Sequence, residues 1–70
     1  MNTTELLVQM TRKSKTPELL CAALGISTTS WYRKIAGKTE FTQGEIAGLR
    51  RELDLDDHLT TLIFFSDEVS

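Results

Sequence analysis

The stretch from Thr16 to Gly37 constrains this chain more than any other, because start and stop signals for two helices fall within 22 residues. Thr16 is a good N-cap, and Pro17 suits the first helical position, where an amide hydrogen would have no partner in the helix. Glu18 complements the positive end of the helix dipole. Leu20, Ala23 and Leu24 are spaced as a buried stripe, and Gly25 supplies the left-handed residue that ends the helix. Ile26 then plugs the interior. Ser27 caps a second helix predicted from Thr28 to about Ala36, and Gly37 stops it. Two helices that cross steeply through so tight a turn need small residues where they touch. Cys21, Ala22 and Ala23 provide them.

The flanking segments are helical as well. A first helix is predicted from about Thr4, as its cap, to Arg12, with Leu6, Leu7 and Met10 on one face. Before the fourth helix, Thr42 and Glu45 fit a capping box, while Phe41 and Ile46 fit the hydrophobic staple around it. Its core stripe is Ile46, Leu49 and Leu53. A short fifth helix opens at Asp56 and uses Leu59, Leu62 and Ile63. No strand-length alternation of apolar and polar residues occurs. The predicted fold is all-α, a compact five-helix bundle in one domain over residues 1–65, with 66–70 as a polar C-terminal tail.

Charge is distributed unevenly. The chain carries a formal net charge of −2, which by itself argues against nucleic acid. Residues 12–38, however, hold Arg12, Lys13, Lys15, Arg33, Lys34 and Lys38 against Glu18 alone, and most of the acidic residues follow residue 38. Such a dipolar chain can turn a positive face toward phosphate.

Several function classes drop out. Seventy residues leave no room for a large catalytic cleft between lobes. No carboxylate pair, Ser/His/Asp set or phosphate loop stands out, so no enzyme is expected. One cysteine, Cys21, and one histidine, His58, cannot close a zinc site, so neither a metal nor a cofactor is expected. Cys21 reads as a small core residue and His58 as a surface one. No apolar run approaches the roughly 18 residues of a membrane span. The start of the chain lacks a signal-peptide pattern, and the expectation is a cytoplasmic protein without a membrane partner.

The segment Thr16–Gly37, with the capped helix after it, resembles the Cro/repressor-type (XRE) helix-turn-helix family of phage and bacterial regulators. The likeness covers roughly residues 4–65 and extends through Gly37–Thr42 to Ile63-Phe64-Phe65. It implies a bundle of the phage-repressor (lambda repressor-like) type with the helix-turn-helix at 16–37. It also implies a recognition helix at about 28–36 that enters the major groove of a double-stranded operator. The family's base-reading positions fall on Thr28, Thr29 and Arg33. Arginine can fork onto guanine O6 and N7, and threonine can meet a base edge or a thymine methyl. Thr16, Ser27, Ser30, Tyr32, Lys34 and Lys38 are the candidates for the DNA backbone. The family often has glutamine where Pro17 stands, so one backbone anchor is missing here, and Thr16 is the candidate to replace it.

The function expected is that of a sequence-specific transcriptional regulator in a bacteriophage genetic switch, in the cytoplasm of a bacterial host. Such proteins bind their operators as homodimers. The rival reading keeps the fold and gives it a different task, that of an antirepressor that binds a partner phage repressor. Its supports are the acidic second half, Pro17, and the pair Phe64 and Phe65, which either finish the core or form a protein interface.

Overall fold

In the computed structural model, which describes residues 1–65, five α-helices follow one another. They are α1 (Thr3–Arg12), α2 (Pro17–Leu24), α3 (Thr28–Ile35), α4 (Gln43–Leu53) and α5 (Asp57–Phe64). No strand occurs among the described residues. The tail expected at 66–70 lies outside them. α2 packs on both α3 and α4, and α1 packs on α5. The described residues extend over 28 × 25 × 20 Å.

Each helix starts on a side chain that accepts from a free first-turn amide. Thr16 Oγ1 accepts from the Leu19 amide at 3.2 Å and Ser27 Oγ from the Ser30 amide at 3.1 Å. Asp56 Oδ1 accepts from the Leu59 amide at 2.8 Å. The capping box of α4 is complete: Glu45 donates its amide to Thr42 Oγ1 at 3.1 Å, and the Thr42 amide returns to Glu45 Oε1 at 2.9 Å. For α1 the expected cap is displaced. Asn2, not Thr4, accepts from the Glu5 amide at 3.1 Å, and the helix begins at Thr3. Asn2 is held there because its own amide donates to the Ile63 carbonyl at 2.7 Å, tying the start of α1 to α5.

Helix ends rely on the left-handed region. Gly25 (φ +73°) and Gly37 (φ +82°) adopt it, as expected, but so do Ser14 (φ +57°) and Asp54 (φ +52°). After α1 the Ser14 amide bonds to the Thr11 carbonyl and the Lys15 amide to the Met10 carbonyl. After α3 the Gly37 and Lys38 amides repeat the pattern on Lys34 and Arg33. Both are Schellman closures that satisfy carbonyls the helix leaves open.

The core is built around Leu6, Leu20, Trp31, Leu49, Leu53 and Ile63, all fully buried. Removing one such aliphatic side chain from water is worth about 1.5–3 kcal/mol. Three details depart from the expected stripes. Leu7 is exposed and Gln9 takes the interior position, its Nε2 donating to Glu5 Oε2 at 2.8 Å. Ala22 and Ala23 face outward, so of the three small residues of α2 only Cys21 is buried. The close approach of helices instead falls at Gly48 in α4. A Cβ added there would come to 2.5 Å from Leu24 Cδ2. A glycine hydrogen thus sets how near α2 can lie to α4.

Candidate nucleic-acid interface

The candidate surface is the outer side of α3 with the loops at its two ends. Three inward residues, Trp31, Lys34 and Ile35, fix its position against the core. Trp31 is 1% exposed and meets Phe41 edge-on, with ring centroids 5.6 Å apart. Phe41 meets Phe64 in the same manner at 5.9 Å, so an aromatic chain links α3 to α5. Ile35 packs against the same cluster.

Lys34 is the third inward residue, and it corrects the sequence reading. It was expected to contact the DNA backbone, yet it is only 8% exposed. Its Nζ lies 3.2 Å from Glu45 Oε1 and donates to the Glu40 carbonyl at 3.2 Å. The ammonium also sits 5.7 Å from the centre of the Phe41 ring. A lysine so engaged fastens the end of α3 and the 37–42 loop to the start of α4. Glu45 answers in its acidity: the hydrogen bond from the Thr42 amide holds its carboxyl below the usual carboxylate range, with burial opposing and Lys34 assisting.

With Trp31, Lys34 and Ile35 turned inward, the other side of α3 faces solvent. Thr28, Thr29, Tyr32 and Arg33 are exposed, and Ser30 is half-buried on the flank. Ala36 follows on the same outer side and is exposed; its spacing from Tyr32 and Arg33 would have identified it. Arg33 and Lys38 have no ion pair among the described residues. Elsewhere in the basic segment, Lys15 pairs with Glu52 at 3.6 Å and Lys13 donates to the Leu53 carbonyl. Arg33 and Lys38 are therefore the cations the α3 side can offer an anion.

Ser27 and Thr16 mark the starts of α3 and α2, and both are exposed. Each hydroxyl oxygen accepts from the helix it caps, which leaves the hydroxyl hydrogen to donate outward. Beside them are first-turn amides without partners in the helix, and the dipole adds positive potential there. Cys21 lies behind this surface, 4% exposed, with Sγ 3.8 Å from the Ser27 carbonyl. Burial, and then the nearby charge of Glu18, push its thiol up. It is a packing residue, as read from the sequence.

The aromatic pair divides. Phe64 is half-buried, packs on the core through Phe41 and also lines the groove beside Phe65. Phe65 is 55% exposed. It stands at a groove of about 670 Å³ whose other walls include Met1, Ile35, Glu40, Phe41 and Gln43. No helix among the described residues is long and apolar enough to cross a membrane. No family model, no curated protein and no solved structure matches the chain.

Proposed function

We propose that this chain is a sequence-specific DNA-binding regulator of the phage-repressor type, in which α2, its turn and α3 form a helix-turn-helix. The observation that carries this reading is the division of α3. Its inward residues are locked by the core and by Glu45, while Thr28, Thr29, Tyr32 and Arg33 are exposed. An arginine left without an acidic partner, on a rigid helix in a chain of net negative charge, suits a role outside the molecule. In the major groove Arg33 would fork onto a guanine, and Thr28 and Thr29 would meet neighbouring base edges. Ser27, Thr16 and Lys38 would hold phosphates on either side, helped by the amides at the helix starts. Two copies would read two half-sites about one helical turn apart, in the cytoplasm of a bacterial host.

The test is selection of bound duplexes from a random pool, followed by binding of the purified protein across a salt series. Specific binding that falls with salt, and that Thr29→Ala with Arg33→Ala removes, supports the reading. Equal affinity for every duplex, or no binding at low salt, overturns it. A second reading, in which the chain acts as an antirepressor by binding another DNA-binding protein, draws on exposed Phe65 beside its groove. In that case Phe65→Ser abolishes regulation in cells while the α3 variants do not.

A further inference from the structure

The outer face of α1 carries no charge. Thr4, Leu7, Val8 and Thr11 are all exposed, Leu7 at 46% and Val8 at 38%. They lie opposite Leu6, Gln9 and Met10, which fasten the helix to the core. The Thr11 hydroxyl donates to the Leu7 carbonyl at 3.0 Å, so its polar hydrogen is used within the helix. Positions 4, 8 and 11 follow the four-then-three spacing of a helix–helix seam, and Leu7 widens the seam on one flank. On the other flank stand Glu5 and Arg12, seven residues apart and therefore in line.

We infer that this face of α1 binds a second copy of the same chain, the two α1 helices running antiparallel across a twofold axis. The argument for a second copy is charge complementarity. In an antiparallel pair each flank meets the same flank of the other helix. With Thr4 level with Thr11 of the second copy, Glu5 lies on the same flank as that copy's Arg12, about 3 Å off level and within reach of its long side chain, and the symmetric pair follows. Leu7 meets the Leu7–Val8 edge of the other copy beside the axis, and Thr4 meets Thr11. A parallel pair would set the charged flank against the leucine flank and waste both. The charges are free to respond: Arg12 has no ion pair among the described residues. Glu5 receives Gln9 on Oε2, which leaves Oε1.

The contact is isologous and closes on itself. A helix of ten residues spans about 15 Å, so the buried area falls at the low end of specific interfaces. The association is accordingly weak and reversible. It is independent of the DNA reading, because it is measured on protein alone.

Sedimentation equilibrium of the full chain, from micromolar to millimolar concentration, tests it. A monomer–dimer equilibrium is expected whose dissociation constant rises at least about tenfold in Leu7→Glu, where two carboxylates crowd the axis. Arg12→Glu alone sets Glu5 against a second acid and weakens the dimer about three- to tenfold. Glu5→Arg combined with Arg12→Glu restores it, and added salt weakens the wild-type dimer. Leu7 and Arg12 are exposed, whereas Glu5 is half-buried and accepts from the buried Gln9, so the outcomes are read on variants whose melting curves match the wild type. A monomer at every concentration overturns the inference. So does a dimer that Leu7→Glu leaves unchanged, or one that the double exchange fails to restore.

Discussion

Lys34 Nζ and Glu45 Oε1 lie 3.2 Å apart beneath the end of α3, with only 9% and 17% of their side chains exposed. Glu45 is also half of the capping box that starts α4, so one carboxylate closes a helix start and holds a buried cation. Removing a partner from such a pair leaves the other charge poorly solvated. Lys34→Ala is expected to destabilise the protein by about 1–3 kcal/mol. Lys34→Met, which keeps the stem over Phe41, should cost less. Urea unfolding of both variants measures the difference, and equal losses would mean the stem contributes nothing.

The same carboxylate gives stability a dependence on pH. The Thr42 amide lowers the carboxyl of Glu45 in the folded chain, with Lys34 assisting against burial. A group whose folded value is depressed stabilises the fold above its unfolded value, near 4.5. That contribution is lost as pH falls through the folded value. Unfolding free energy should therefore decline below about pH 5, and Glu45→Gln should flatten this part of the profile. A wild-type profile and a Glu45→Gln profile with the same slope would remove Glu45 as the cause.

Turn positions offer gains as well as losses. Gly25 has φ +73° and open space around it, so its cost of substitution lies in the backbone alone. Gly25→Val should lower stability by about 1–2 kcal/mol, because a β-branched residue tolerates that conformation poorly. Gly48→Ala should cost at least as much for the opposite reason, since its Cβ would strike Leu24. Ser14 already holds φ +57° without being glycine. Ser14→Gly should stabilise by about 0.5 kcal/mol, the relief of strain exceeding the added freedom of the unfolded chain. Melting temperatures rank the three variants, and a Ser14→Gly protein that melts lower would count against the turn as described.

Binding to DNA should separate three cations that the sequence alone groups together. Arg33→Ala is expected to cost about 1–3 kcal/mol and to relax preference at one base pair. Lys38→Ala should weaken binding to all duplexes alike and reduce the salt slope by about one unit. Lys34→Met should leave that slope unchanged, because the ammonium it removes is already paired inside. A salt slope reduced equally by Lys34→Met and Lys38→Ala would place Lys34 at the phosphates after all.

How far the chain could be read in advance depended on the reach of each signal. Caps act over three residues, so Thr16, Ser27, Thr42 and Asp56 were legible, and so were the left-handed glycines at 25 and 37. The cap of α1 is not legible in the local sequence, because Asn2 is fixed by Ile63, a residue 61 positions away. Helical spacing turns the stem of Lys34 toward the bundle but cannot show that its ammonium is paired inside, because the partner, Glu45, stands on another helix. Leu7 is turned out and Gln9 in because only the packing of α1 on α5 decides which side of α1 is covered. Gly48 gave no sign, since a glycine inside a helix announces a close neighbour only when the neighbour is known. On the candidate surface, the outward positions of α3 followed from helical spacing once Trp31 was assigned to the core.

That division of α3 has a consequence for how such a chain can change over generations. The residues that hold the helix, Trp31, Lys34 and Ile35, share no side-chain hydrogen bond with those that face away from it, Thr28, Thr29, Tyr32 and Arg33. Exchanging the outward set leaves the aromatic chain, the cap at Ser27 and the closure at Gly37 untouched. What the surface recognises and whether the protein folds can therefore be altered separately, and a new specificity can arise by drift among stable sequences without passing through an unfolded one.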